Sequence, residues 1–348
     1  MVVDERIRLQ LPRILSFVVI GAAVGAGYSY ATTVGFPLRG LLRGAVSGVI
    51  IGAAVSWLGL FVLQAPGSPL ARTPFMVTVA VRSVLYLLVF LLAIAVGQLL
   101  VPNRPPARVV SISGDDILFC FGATFVITFL FEVNGLLSQN VLLSFMTGRY
   151  HRPRVEQRIF LIMDMKNSTA AAERLGEVKF HMLLNRLMTD LSGPIVLRGG
   201  QIHKYVGDEL IATWPLVRGL KDAACVRACF AARDRLVAHG ADYERAFGMT
   251  PQVRAGLHCG PVVVGEMGSI KKEIALLGDT LNTAARLVDA CRDRGESIIA
   301  SADLLDRLKL PPGIAARSLG PVHLRGKELA IGLCALAEQP PATRLAAS

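Results

Sequence analysis

The sequence predicts an α-helical bundle of four membrane spans followed by an α+β domain of ferredoxin-like order. Three observations carry this reading. Four apolar stretches lie before residue 145. The apolar excess behind the mean hydropathy of +0.50 is concentrated in that front part. From about residue 158 onward, short apolar runs alternate with helical patterns. A chain of 348 residues is long enough for two domains, and this one is too apolar for an ordinary soluble protein. The boundaries that follow are a transmembrane domain over 1–140, a connector over 141–158, an α+β domain over 159–340 and a tail over 341–348.

The apolar stretches cover 14–34, 41–63, 75–100 and 117–133. Each has about 17–26 residues, enough at ~1.5 Å per residue to cross a bilayer. The first is not a signal peptide, because Asp4 and Glu5 dilute its basic start and further spans follow. An even number of spans leaves both ends of the bundle on one side. Arg6, Arg8 and Arg13, with Arg149, Arg152, Arg154 and Arg158 after the last span, place that side in the cytoplasm of an inner (plasma) membrane protein. Arg39, Arg43, Arg104 and Arg108 fall on the other side and oppose this. Gly40, Gly44, Gly48 and Gly52 line one face of the second span, and Gly21 and Gly25 sit in the first. Such a stripe lets another backbone approach closely, either inside the bundle or across a dimer seam. Arg82 and Glu132 are ionisable groups at membrane depth; they either pair or snorkel separately to the interface.

Charge divides between the halves. Residues 1–150 hold 10 Lys/Arg against 5 Asp/Glu, and 151–348 hold 27 against 21, so the net +11 splits as +5 and +6. No continuous basic run or nucleic-acid motif accompanies it, so the basic balance belongs to Arg-flanked membrane ends and a phosphate-friendly domain. The six cysteines show neither C-x-x-C pairing nor zinc spacing, and read as buried thiols in a reducing compartment. The connector, with its basic run GRYHRPRVEQR, reads as a tether with some coupling.

In the α+β domain, 159–163 is an apolar run fit for a buried strand that ends at Asp164. Ser168 or Thr169 caps the next helix, which runs to about Leu191, where Ser-Gly-Pro stops it. Strands over 201–205 and 209–214 flank Gly207-Asp208. A helix over about 220–238 follows, then strands over 253–258 and 262–265 joined by a Cys-Gly-Pro turn, and a strand over 273–277. Asp279 caps a last helix reaching about Arg292. Strand, helix, hairpin, helix, strand is a ferredoxin-like order, in which the first strand lies beside the hairpin and Asp164 meets Asp208 at one edge. Taken singly, these are a capping Asp and a turn Asp. Taken together, two carboxylates at strand ends suit magnesium, which accepts oxygen ligands and leaves room for substrate phosphates.

Four segments in order carry a resemblance over 152–340. FLIMDMKNST, HKYVGDE, RAGLHCGPVVVGEMG and LLGDTLNTAARL resemble the motifs of the class III adenylyl/guanylyl cyclases. Diguanylate cyclases also carry a Gly-Asp-Glu hairpin tip, but nothing in their pattern requires Asn282 and Arg286, which lie four apart on one helix face. The resemblance implies that Asp164, Asp208 and the Met165 carbonyl hold two Mg2+ or Mn2+ ions. It places Lys166, Asn167, Ser168 and Thr169 in the substrate-binding turn, gives Asn282 the ribose, and gives Arg286 the phosphate charge of the transition state. It also implies a head-to-tail homodimer with two equivalent sites.

The implied reaction is attack of the ribose 3′-hydroxyl on the α-phosphate of ATP, giving 3′,5′-cyclic AMP and pyrophosphate. Lys204 argues for adenine, since an ammonium only donates and adenine N1 only accepts. The family pattern places an acceptor seven residues before Asn282 for the adenine amine. Here that residue is Ala275, so the expectation is a leaky preference for ATP over GTP. Asn167 and Ser168 stand where the first motif often has glycine, and Asn tolerates a left-handed turn. Two readings compete with a membrane-anchored adenylate cyclase: a catalytically inactive cyclase-like membrane sensor or scaffold, and a transporter or channel built on Arg82 and Glu132.

Overall fold

The computed structural model describes residues 2–32, 37–59, 73–100, 114–136, 144, 147–270, 272–323 and 330–339. The chain divides into two units, Met1–Leu136 and Leu137–Ser348.

The first unit contains α1 (Val2–Thr32), α2 (Pro37–Trp57), α3 (Phe75–Leu100) and α4 (Gly114–Leu136). Among the described residues, three helices are long and apolar enough to cross a membrane, through 14–31, 40–57 and 75–97. The fourth expected span falls on α4, a helix of 23 residues with several side chains outside the described set. The glycine stripe is used inside the chain. A Cβ added at Gly48 would overlap the Gly21 carbonyl oxygen, and one at Gly44 would overlap that of Gly25, so α1 and α2 meet backbone to backbone. The Glu132 side chain lies outside the described residues, as do the tail over 341–348 and most of the connector before residue 147.

The second unit is one mixed sheet. Its strands are β1 (Arg154–Met165), β2 (Gln201–Val206), β3 (Glu209–Pro215), β4 (Val253–Met267), β5 (Glu273–Leu277), β6 (Ile298–Ser301), β7 (Ile314–Val322) and β8 (Ile331–Glu338). Among the described residues the order is β2-β3-β1-β4-β6-β8-β7, with β5 on the far half of β4. The helices are α5 (Ser168–Leu175), α6 (Glu177–Leu197), α7 (Ala224–Ala238), α8 (Gly240–Phe247) and α9 (Asp279–Arg294), besides short turns of helix. From Arg158 to Met163 β1 is buried on both faces, as its continuous apolar run requires. Ile159, Leu161, Met163 and Met165 pack on one side with Leu183, Leu187 and Leu191 of α6 and Phe230 of α7. Phe160 and Ile162 pack on the other with Ala284 and Val288 of α9. All six thiols are free, and five are buried.

The first strand lies beside the hairpin as expected, and several local expectations are corrected. β1 starts at Arg154 rather than 159, so the end of the expected connector is strand, paired from Arg154↔Val264 onward. Arg158 is buried there, with Glu156 and Gln201 accepting from its guanidinium. The expected single helix over 168–191 is two, divided at Gly176 (φ 72°, ψ 161°), a conformation open to glycine alone. Ser-Gly-Pro does not stop the second; α6 runs through Pro194 to Leu197 because Leu191, Pro194 and Ile195 are core residues. Positive φ at Asp222 (52°) and Ala223 (50°) delays α7 to Ala224. Cys259-Gly260-Pro261 is not a turn. β4 continues through it, because β1 pairs along its whole length while β6 leaves after Leu257 and β5 joins at Val263, so Pro261 sits where the outer edge is open. The helix caps are Asn167 and Gly278, neither with a side-chain hydrogen bond, rather than Ser168, Thr169 or Asp279. The strands beyond residue 294 were not read from the sequence.

Candidate active site

Asp164 is the penultimate residue of β1, opposite Glu209 on β3 and Arg254 on β4. β2 and β3 are joined by the two residues Gly207 and Asp208. Gly207 supplies the positive φ (61°) that so short a hairpin turn needs, and this aims Asp208 back at the end of β1. The two carboxylates are close enough for each to feel the other's charge. Burial and the adjacent Asp208 charge raise the Asp164 pKa from 3.8 to about 6, and the guanidinium groups of Arg292 and Arg254 oppose the rise. Glu209 is also raised, by burial and by the charges of Asp164, Asp208 and Asp289. Like charges gathered at strand ends against their own repulsion are a place where a cation is favoured.

Asp164 and Asp208 line one cavity of about 630 Å³ with Met165, Asn167, Ser168, Thr169, Ala170, Arg254 and Arg292. Asn167 holds the left-handed conformation (φ 58°, ψ 36°), turning the chain from β1 into α5. The cavity wall therefore includes the first turn of a helix whose N–H groups have no intrahelical partner, a favourable setting for phosphate oxygens. A hard divalent ion fits this donor set. Two carboxylates leave coordination positions for water and phosphate, as magnesium sites commonly do. Among the described residues no group of three or more His, Cys, Asp and Glu converges to form a closed protein cage.

The other sequence-selected residues lie elsewhere. Lys166 is absent from the cavity lining and donates to Ser297 Oγ at 3.0 Å. Lys204 on β2 is half-exposed, with its Nζ 3.3 Å from Glu273 Oε1. Asn282 and Arg286 are one turn apart on α9, Asn282 exposed and Arg286 partly buried. Among the described residues, Arg286 Nη1 is buried with no hydrogen-bond partner. None of these three lines the carboxylate cavity. Arg254 and Arg292 do, and the sequence reading did not single them out. Arg254 opens the segment RAGLHCG and is directly in register with Asp164, so the β1–β4 pairing was the signal that could have found it.

Comparison with known proteins bears on this arrangement. The family model described as the adenylate and guanylate cyclase catalytic domain matches residues 152–334. Adenylate cyclase 2 of Rhizobium meliloti (strain 1021) is 38% identical over 217 residues, which are 62% of this chain and 60% of that protein. Adenylate cyclase 1 of the same strain is 26% identical over 50% of this chain and 26% of its own length. The adenylate cyclase of Anabaena cylindrica is 25% identical over 50% of this chain and 35% of its own. The chain thus spans between about a quarter and three-fifths of these relatives. Among solved structures, a bacterial light-regulated adenylyl cyclase superposes with TM-score 0.54 at 19% identity, over 65% of this chain and 66% of that one, a likeness of fold.

Proposed function

The chain belongs to the adenylate and guanylate cyclase family, whose catalytic-domain model covers residues 152–334, and from that premise we propose that it is a membrane-anchored adenylate cyclase. In this reading it converts ATP to 3′,5′-cyclic AMP and pyrophosphate. The single observation that carries the reading is the meeting of Asp164 and Asp208 in one cavity with Arg254, Arg292 and the open first turn of α5. The anchor is supported by the apolar helices α1 to α3, and a cytoplasmic catalytic unit in an inner (plasma) membrane by the arginines at both ends of the bundle.

Asp164, Asp208 and the Met165 carbonyl are the residues that would hold Mg2+ or Mn2+. Bound there, such ions supply positive charge for the triphosphate and lower the cost of an attacking alkoxide. The remaining work falls to the chain. Arg254, Arg292 and the N–H groups of Ser168 and Thr169 orient the phosphates and balance their charge. Asn282 fixes the ribose so that its 3′-oxygen faces the α-phosphorus, and Arg286 neutralises charge on the phosphoryl oxygens. A bond forms from the 3′-oxygen to the α-phosphorus, and the bond from that phosphorus to the bridging oxygen breaks. Pyrophosphate leaves with the electron pair, and the hydroxyl proton passes to water or to a substrate oxygen. Lys204 donates to adenine N1.

Lys204, Asn282 and Arg286 stand off the cavity that holds the carboxylates. This supports an arrangement in which a second copy brings its own three residues to that cavity, giving a homodimer with two equivalent sites. The test is an assay of the detergent-solubilised full chain with ATP and Mn2+. Cyclic AMP and pyrophosphate should appear in equal amounts, and Asp208→Ala should lower the rate by at least ~100-fold. A wild-type chain without product, or an Asp208→Ala chain of normal rate, overturns the reading.

A further inference from the structure

We infer that Lys166 is a positioning residue, whose two anchors hold the turn after β1 so that the Met165 carbonyl faces Asp208; this rests on the adenylate cyclase reading above. The first anchor is its backbone. β1 ends its pairing with β3 at Asp164↔Glu209 and with β4 at Met165↔Val253. The Lys166 N–H donates to the Gln252 carbonyl at 2.8 Å, the next pair in the same β4 register. In a trans peptide the carbonyl of one residue points opposite to the N–H of the next. Because β1 lies between β3 and β4, the Met165 carbonyl points away from β4, to the side of the β2–β3 hairpin that carries Asp208.

The side chain supplies the second anchor. Lys166 Nζ donates to Ser297 Oγ at 3.0 Å, across 131 positions of sequence. Ser297 is a fixed post. Its carbonyl accepts from the Ala255 N–H at 2.8 Å, and the next residue, Ile298, pairs with Ala255 at the start of β6. It also lies just beyond Gly295, the cap of α9, and α9 brings Arg292 to the carboxylate cavity. The lysine thus ties the β1–α5 turn to the segment that ends α9. The turn needs such a hold, since Asn167 keeps a left-handed backbone (φ 58°) with no side-chain cap bond. Direct binding of phosphate by Lys166 explains the arrangement less well. Its ammonium is engaged with Ser297 and does not line the cavity, whereas Arg254 and Arg292 do. Surface chemistry alone does not call for the bond either, because ordering a lysine on one neutral hydroxyl costs side-chain entropy.

The test uses the full chain in detergent, as wild type, Lys166→Met, Ser297→Ala and the double variant. Mn2+ affinity is measured by calorimetry without nucleotide, and binding of non-cyclisable α,β-methylene ATP at saturating Mn2+. Loss of one hydrogen bond corresponds to a Mn2+ Kd raised about 3- to 10-fold. Lys166→Met and Ser297→Ala should each show that rise, and the double variant no more than either. With ATP as substrate, saturating Mn2+ should return kcat of both single variants to near the wild-type value. The proposal fails if Lys166→Met leaves the Mn2+ Kd unchanged, which is also the result of a bond that serves folding stability alone. It fails if the two changes add in the double variant, because the residues then act apart. It fails too if Lys166→Met weakens the analogue at saturating Mn2+ while Ser297→Ala does not, since the lysine then touches the nucleotide. Should Lys166→Met not fold, Ser297→Ala decides alone, and an unaltered Mn2+ Kd refutes the tie. A chain whose Mn2+ affinity depends on both residues yet which makes no cyclic AMP upholds the positioning role and refutes the cyclase reading.

Discussion

Replacing Asp208 with Asn should make the metal-free protein more stable while removing its activity. Burial and the Asp208 charge raise the Asp164 pKa from 3.8 to about 6. About 2 pH units correspond to roughly 3 kcal/mol as a ceiling. Burial is the largest cause and persists in the variant, and solvent screens the rest, so relief from the Asp208 charge is worth about 1 kcal/mol. The sign follows from linkage. The folded state holds the Asp164 proton more tightly than the unfolded state, so folding stability declines as pH rises from about 4 to about 6. The penalty is complete above about 6, and there the gain from Asp208→Asn is largest. The assay is urea unfolding of the full chain in detergent with chelator at pH 7.5, followed by fluorescence of the fully buried Trp214 in a Trp57→Phe background. The midpoint should move up by an amount equivalent to about 1 kcal/mol. Saturating Mn2+ at ~100 times its Kd should stabilise the parent by about 2.7 kcal/mol and the variant by far less. A variant less stable than its parent without metal, or equally stabilised by Mn2+, refutes the reasoning.

Two further outcomes are expected. Because metal needs the ionised carboxylates, Mn2+ affinity measured by calorimetry should rise from pH 5 and level off above the Asp164 midpoint of about 6; a flat profile over that range contradicts the pair's role. Gly48→Leu should sharply lower the yield of detergent-extracted folded protein, since its side chain would meet the Gly21 carbonyl, whereas Gly27→Leu, with nothing within 4 Å of its Cβ position, should extract normally; equal yields would contradict the α1–α2 contact.

The parts of the molecule legible in the sequence were those with strong local signals. The apolar run 159–163 fixed a strand buried on both faces, and Gly207-Asp208 between two strand-like runs fixed a hairpin. Together they place Asp164 beside Asp208. The misread elements are those in which tertiary context overrides a local signal. Pro194 remains helical because the core holds its neighbours, and Pro261 remains in a strand because one side of β4 is unpaired there. Arg254 gave no local sign of its place, since it becomes a neighbour of Asp164 only through the β1–β4 register. Asp190 is another such case: a buried carboxylate held by Arg235, His239 and the Tyr243 hydroxyl, it is a mid-helix Asp in sequence and a core junction in the fold. The link between Lys204 and Glu273 is equally invisible at a separation of 69 residues.

In the proposed homodimer, the carboxylates of one copy work with Lys204, Asn282 and Arg286 of another. Full-length chains carrying Asp208→Ala and Arg286→Ala should each be inactive alone. Co-expressed in equal amounts, half of the dimers are mixed and hold one intact site of two, so the account predicts about a quarter of wild-type cyclic AMP production. Mixed dimers that can be isolated by two affinity tags and yet make no cyclic AMP would contradict it.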